Sequence, residues 1–255
     1  MTAAVIVEHL HKEFILRHNR AMGLKTRFLA LMHPSKRERR EHFLALDDIN
    51  LMIEQGEALG LLGHNGSGKS TLLQIIAGIL EPTRGRVITK GRVAPLIQLG
   101  VGFNPELTGF ENIFLNASLY GFRNRNVKGK LKNIIEFSEL EHFIDTPLKN
   151  YSSGMQMRLG FAIAVNLEPD ILLADEILAV GDQPFQEKCL TKIADLRSGG
   201  MTLILVSHNP AQVNKFCDQF VRLEHGRVVE TGLIDKKKDA PPKLGHRGLI
   251  ASNLT

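Results

Sequence analysis

Tryptophan is absent and tyrosine occurs only twice, so a large aromatic stacking surface is not expected. The two cysteines, Cys189 and Cys217, are too few for a disulfide framework, which points to a reducing compartment and to small buried hydrophobes rather than nucleophiles. No run of ~18 uncharged apolar residues occurs, so a transmembrane helix is excluded. The N-terminus lacks a basic region followed by a long apolar stretch, so no secretory signal is read. Internal repeats and low-complexity tracts are missing as well.

What is present is ordinary globular material. The 255 residues are 43 % hydrophobic and 23 % charged, enough to bury a core and far from a disordered composition. The net charge of +5 is partly local: eight Lys or Arg residues fall from Arg17 to Arg40 against one acid, Glu38, and Lys236-Lys237-Lys238 form a second run. Such runs meet anionic partners or simply face solvent.

Hydrophobic patterning gives an α/β chain. Residues 5–7, 45–54 and 58–62 read as strands, and a helix begins within Gly68–Leu72 and ends near Gly78. Residues 20–42 read as a basic amphipathic helix, a break at Pro34 and a charged turn over 36–40. From about Glu106 to Val165 the spacing is helical. Ile171–Ala174 and Leu203–Val206 are continuous apolar runs suited to parallel strands covered on both faces, with a helix over 184–197 between them. Phe220–Glu230 reads as a hairpin around His225-Gly226.

The segment Gly63-His64-Asn65-Gly66-Ser67-Gly68-Lys69-Ser70-Thr71 fits G-x-x-x-x-G-K-[ST] between a strand and a helix. Gly66 and Gly68 permit a tight turn whose N–H groups converge on phosphate oxygens, and the helix start adds its positive dipole end. Lys69 supplies a full charge to the β- and γ-phosphates, and the Ser70 hydroxyl ligates Mg²⁺. A second signal is the apolar strand ending in Asp175-Glu176. Ligands of parallel α/β sheets bind at the carboxyl ends of strands. Taken alone, two acids there could merely face solvent; beside a phosphate loop, Asp175 is placed to hold Mg²⁺ through water and Glu176 to act as general base. His208, after the third apolar strand, either senses the γ-phosphate or serves a structural purpose.

In order along the chain, the phosphate loop, Tyr151-Ser152-Ser153-Gly154-Met155, Leu173-Ala174-Asp175-Glu176, Ala179-Val180-Gly181-Asp182 and Ser207-His208 resemble the ATP-binding subunits of ABC transporters. The usual signature is L-S-G-G-Q; here Tyr151, Ser153 and Met155 replace its first, third and fifth letters. That variant, the stretch 96–109 before Glu111-Asn112-Ile113, and Leu178–Asp182 with Phe185-Gln186 and Lys188-Cys189 resemble the ATPases that export bacterial cell-surface polysaccharides of capsule, O-antigen and teichoic acid type.

The resemblance implies a P-loop fold with a mostly parallel sheet, an N-terminal antiparallel β piece and a helical subdomain. It places one ATPase domain over 1–232, with the helical subdomain at about 104–168, a basic insertion at about 17–42 and a short polar tail over 233–255. Two copies are then expected to sandwich two ATP molecules, each with Mg²⁺, the phosphate loop of one facing Ser152, Ser153 and Gly154 of the other. Gln98 matches a glutamine that contacts Mg²⁺ or water and reports to the membrane subunit. Phe14 matches an aromatic that stacks on adenine, or packs in the core. Asp182 fits a loop joining the two sites.

Expected partners are an integral membrane permease, in two copies, and a lipid-linked polysaccharide as cargo. No nucleic acid is expected, because the resemblance includes neither a second cassette nor a long coiled-coil insert. The location implied is the cytoplasmic face of the bacterial inner or cytoplasmic membrane, with the basic 17–42 piece near anionic lipid. The stretch after the last strand is shorter than the carbohydrate-binding domain that some O-antigen exporters append, so no recognition of a polymer end-cap is expected.

Overall fold

The computed structural model describes residues 2–18, 39–97, 99–175, 181–207 and 210–234. Its main sheet has six strands in the order β5-β6-β7-β3-β8-β9, where β3 is Ala58–Leu62, β5 Val93–Leu96, β6 Ile171–Asp175, β7 Thr202–Val206, β8 Gln219–Glu224 and β9 Arg227–Leu233. The first five are parallel, and β9 turns back antiparallel on β8. Every residue of β3 and β7 is buried, as their unbroken apolar sequence predicts. A second, antiparallel sheet has the order β2-β1-β4, with β1 Ala3–His18, β2 Arg39–Glu54 and β4 Arg84–Thr89.

Two apolar layers clasp the main sheet. On one side, β1 and β2 bring Val5, Leu10, Leu46 and Ile49 against Leu72 and Leu73 of α1 (Lys69–Ile76). On the other, Phe161 of α4 (Ser153–Asn166) packs with Phe185 and Cys189 of α5 (Gln183–Ser198) and with Val213 and Phe216 of α6 (Pro210–Phe216). Both cysteines are fully buried, and burial pushes the Cys189 thiol up to about 12. A third cluster joins α2 (Gly109–Leu119), α3 (Asn124–Ser138) and the opposite face of α4 through Ile113, Ala117, Val127, Ile134, Leu159 and Ile163.

The N-terminal hairpin differs from the sequence reading. Residues 39–44, of which 39 and 40 belong to the expected charged turn, are strand: Phe43 stands opposite Phe14, His42 opposite Ile15, and Arg39 opposite His18. β4 pairs with β1 only as far as His11, so beyond that point β1 and β2 form a two-stranded ribbon, in the outer part of which Ile15, Leu16 and residues 41–44 are exposed. The expected basic helix before Pro34, the break there and the charged turn as far as Glu38 fall outside the described residues, as does the tail from residue 235. Among the described residues no helix is long and apolar enough to cross a membrane.

The approach to α2 is organised by one buried amide. Asn112 is fully buried; its Oδ1 accepts from Asn104 N–H at 2.8 Å, and its Nδ2 donates to the carbonyls of Asn104, Leu107 and Thr108 at 2.8–3.0 Å. Thr108 and Glu111 close a reciprocal cap at the same turn. Asn112→Ala removes four hydrogen bonds and leaves the Asn104 N–H without its acceptor, whereas the carbonyls of Asn104, Leu107 and Thr108 keep backbone donors; the change is expected to destabilise the fold by about 1–3 kcal/mol, read as a lower urea midpoint with an unchanged slope.

Candidate functional site

The carboxyl ends of β3 and β6 meet at one cavity of about 510 Å³, lined by Phe43, Ala45, Asn65, Gly66, Gly68, Lys69, Ser70, Thr71, Ile97 and Asp175. β3 ends at Leu62, the chain crosses His64–Ser67, and α1 begins at Lys69 with Gly68 as its cap at φ 105°. A Cβ at Gly68 would lie 2.7 Å from the Ala45 carbonyl oxygen, so only glycine lets the loop lie this close to β2. The cap offers α1 no side-chain acceptor and no acid stands in its first turn, so the helix's first N–H groups keep their donors for another anion.

Lys69 is 6 % exposed, and its Nζ donates to the carbonyls of Gly63 at 2.8 Å and His64 at 2.9 Å. An ammonium has three donors, so one remains for a phosphate oxygen while the other two fix its position. The Ser70 hydroxyl donates to Asp175 Oδ2 at 2.9 Å, spanning 105 residues of sequence. These are hard oxygen donors, one neutral and one anionic, which suits Mg²⁺: that ion takes one or two protein ligands and completes its shell with phosphate and water. The donor set therefore fits a Mg²⁺–triphosphate. Ser67 Oγ is buried and, among the described residues, unpartnered inside the loop. The His64 ring lies edge-on to His225 at 5.4 Å, tying the exposed shoulder of the loop to the β8–β9 turn. Asn65 and Thr71 complete the rim.

Ser152, Ser153 and Gly154 stand together elsewhere, at the start of α4. Ser152 caps the helix by accepting from Met155 N–H at 3.2 Å, and both serines are exposed. Tyr151, the variant first letter of the signature, is a core residue: it is buried, and its hydroxyl donates to the Phe143 carbonyl at 2.7 Å. Gln98, Glu176 and His208 lie outside the described residues, although Asp175, Ile97 and Ser207 beside them are in place.

Phe14 is half-buried in the ribbon with Lys12 Nζ 5.1 Å from its ring centre, and it is not among the cavity's lining residues. Its cross-strand partner Phe43 is. Sequence reasoning missed Phe43, Ala45 and Ile97. The available signal was Phe43-Leu44-Ala45-Leu46, an apolar run continuous with the strand read from residue 45. An aromatic base stacked in this cavity meets Phe43, so Phe43→Ala is expected to weaken binding of a fluorescent ATP analogue about tenfold, the loss of ~1.4 kcal/mol of stacking, against less than about twofold for Phe14→Ala. The reverse order would return the platform to β1.

The description "ABC transporter" attaches to a family model that matches residues 46–179. The chain is 44 % identical over 239 residues to an O-antigen export system ATP-binding protein, RfbB, of Klebsiella pneumoniae, covering 92 % of this chain and 96 % of that one. It is 42 % identical over 228 residues to a teichoic acids export ATP-binding protein, TagH, of Listeria monocytogenes, covering 89 % of this chain and 66 % of that one. Among solved structures, an ATP-binding subunit of an ABC transporter has the same fold, with a TM-score of 0.72 at 24 % identity over 91 % of this chain and 90 % of that one. With its phosphate loop, Ser70–Asp175 pair and serine-capped helix placed on that fold, this chain belongs to the ABC transporter family, in the group of ATP-binding proteins that includes those of O-antigen and teichoic acid exporters.

Proposed function

We propose that this chain is the ATP-hydrolysing subunit of a transporter that exports a lipid-linked cell-surface polysaccharide. It works as a homodimer on the cytoplasmic face of the membrane, beneath two copies of an integral permease. Residues 1–232 form its ATPase domain, with the helical subdomain inserted at 104–168. The observation that carries the reading is the meeting of Lys69, Ser70 and Asp175 at one cavity, in a chain similar over nine-tenths of its length to a named O-antigen export protein.

The chain's own groups supply positioning and charge, the two terms that dominate phosphoryl transfer. Lys69 and the N–H groups at the start of α1 hold the β- and γ-phosphates. Ser70 and Asp175, with Gln98, hold Mg²⁺, which when bound neutralises charge on the phosphates. Glu176, one residue past Asp175, takes the proton of the attacking water, and His208 orients the γ-phosphate. A twin molecule presents the hydroxyls of Ser152 and Ser153 and the N–H of Gly154 to the same phosphate. The Ser152 oxygen accepts from its own helix, which leaves its hydroxyl proton to donate outward.

A shallow groove of about 270 Å³ supports the membrane partner. Gln74, Ala77, Pro95 and Tyr120 line it, together with Ile79, Val101 and Leu119, each more than half exposed. Exposed apolar side chains gathered round a groove mark a docking site, here for an apolar helical segment of the permease. Ile97 lines both this groove and the nucleotide cavity, so the strand-to-loop segment leading to Gln98 borders both sites.

Glu176→Gln is expected to keep ATP affinity within about twofold, to lower turnover by at least ~100-fold, and to sediment as a dimer in ATP. Turnover at the wild-type rate would remove Glu176 as the base. Depletion of the protein in its host is expected to accumulate a lipid-linked glycan inside the cell; accumulation of none, with ATPase activity intact, would leave an ABC ATPase of another cargo.

A further inference from the structure

The charges on α3 run against its own dipole. Arg123 at the N-cap, Arg125 and Lys128 stand at the positive end, where the first turn holds no acid and the cap makes no side-chain hydrogen bond. Its acids, Glu136 and Glu139, stand at the negative end, and the last turn holds no base. Lys132 and Glu136 pair at 3.6 Å in the weaker order, base before acid. Exchanging the signs would strengthen the helix by local rules alone, so helix stability does not account for the pattern. Gly129 is a second departure. Glycine is the poorest helix former after proline, and a Cβ built here meets nothing within 4 Å, so no packing contact asks for the bare backbone.

Both departures fall on one face. Val127, Leu131 and Ile134 turn to the helical cluster. Arg125, Lys128, Gly129 and Lys132 recur at three- and four-residue spacing on the opposite side, and all four are exposed. At 1.5 Å per residue this stripe is about 10 Å long. Among the described residues Arg123, Arg125 and Lys128 have no acidic partner, whereas Lys130 on the flank is held by Glu168. Local choices that weaken a helix and converge on one outward face mark a constraint from outside the fold.

The near end of the stripe is fixed to the groove assigned to the permease. α2 ends at Leu119, and the N–H groups of Gly121 and Phe122 close the turn by donating to the Ser118 and Ala117 carbonyls, each at 3.0 Å. Phe122 is buried, with the Arg92 guanidinium 4.6 Å from its ring centre. Arg123 therefore follows a rigid turn that starts from Leu119 and Tyr120, two residues lining the groove, of which Leu119 is an exposed apolar side chain.

We propose that this basic face of α3 is a docking surface for the anionic headgroups of the membrane around the permease. This rests on the transporter reading above. Unneutralised cations are drawn to an anionic leaflet within a Debye length. Glycine between them removes the one side chain that would hold a flat surface away, and an exposed apolar edge at the same end suits the interface. A fluid headgroup layer needs no matching pattern of acids, as a protein partner would. Proteins that hold single-stranded nucleic acid add aromatic stacking to charge, and this stripe carries no aromatic residue.

The test is sedimentation of the full chain with vesicles of equal parts phosphatidylglycerol and phosphatidylcholine at roughly 0.1 M salt, against phosphatidylcholine alone. Wild type is expected to bind the first and not the second. Arg123→Gln, Arg125→Gln and Lys128→Gln together weaken binding at least about tenfold. Lys236→Gln, Lys237→Gln and Lys238→Gln, an equal loss of charge from the tail, weaken it less than about threefold. Gly129→Glu, which sets an acid in the stripe, weakens it about fivefold. Urea midpoints of the α3 triple variant and of Gly129→Glu stay at or above wild type, because each change favours the helix, so unfolding does not imitate the result. Binding by the α3 triple variant within twofold of wild type overturns the proposal, as does an equal loss in the tail variant or lower urea midpoints in both α3 variants. An RNA oligonucleotide or polyglutamate bound as tightly as the vesicles, at equal anionic charge and through the same three residues, overturns the assignment to lipid. A chain that meets every vesicle expectation, yet whose depletion accumulates no lipid-linked glycan, loses the export reading and keeps the docking face.

Discussion

The Ala45 carbonyl is the point on which the nucleotide cavity depends. Two backbones close on it at once: a Cβ would lie 2.7 Å away if built at Gly68 and 2.6 Å away if built at Gly226. Asp47 N–H donates to the Gly226 carbonyl at 2.8 Å, and Gly226 N–H donates to the Ser67 carbonyl at 3.1 Å. The first residues of the core part of β2, the phosphate loop and the β8–β9 turn are thus one hydrogen-bonded unit, packed closely because Gly68 and Gly226 carry no side chain. A loop that must present N–H groups cannot spend them on its own fold, so its shape has to be imposed from outside. Here the two sheets impose it. Lys69 then acts from within, pinning the carbonyls of Gly63 and His64, and its ammonium is fixed before any phosphate arrives.

A second constraint comes from α4. From Leu159 to Asn166 it is buried on every side, contributing Phe161, Ala164 and Val165 to the core under the main sheet and Leu159, Ala162 and Ile163 to the helical cluster. A helix that is apolar all round has no face left for solvent, so it can only sit between two cores. Its polar first turn is then the one part left to act on something outside. Tyr151 marks the border. With its hydroxyl bonded inward to Phe143 and its ring buried, the chain is anchored immediately before the exposed serines. Arg158 Nη2 donates to Asp182 Oδ1, a polar link between that helix and the start of α5.

How much of this was legible followed from the range of the forces involved. β3, β6 and β7 were readable because burial on both faces leaves unbroken apolar runs, and the phosphate loop because backbone geometry demands glycine at fixed spacing. The hairpin β8–β9 declared itself through His225-Gly226. The outer ribbon did not. Beyond His11, among the described residues, it has no third strand, and Ile15, Leu16 and residues 41–44 are exposed, so Glu13, Ile15, Glu41 and His42 follow no period that a core would select. With the ribbon unread, Phe43 could not be set opposite Phe14, nor either of them against the cavity. The pairing of Ser70 with Asp175 was inferable from two motifs, whereas the convergence of Glu139, Arg158 and Asp182 was not: each is an ordinary surface residue until the end of α3 and the start of α5 meet the side of α4.

The division of labour inside the cavity also bears on what the site discriminates. Its polar lining comes from the phosphate loop, α1 and the tip of β6, whereas Phe43, Ala45 and Ile97 are apolar. Charge-assisted hydrogen bonds to phosphate are directional and roughly twice as strong as neutral ones. Stacking on an aromatic ring contributes ~1–3 kcal/mol for any base, because every base has a π-face. Strong rejection of a wrong base requires buried polar groups left unpaired by it, and among the described residues that line this part of the cavity there is none. On the proposed function, these residues would select for a triphosphate with its metal more sharply than for adenine. A site built this way reads the presence or loss of the γ-phosphate, the one difference that a subunit driving a membrane partner has to register.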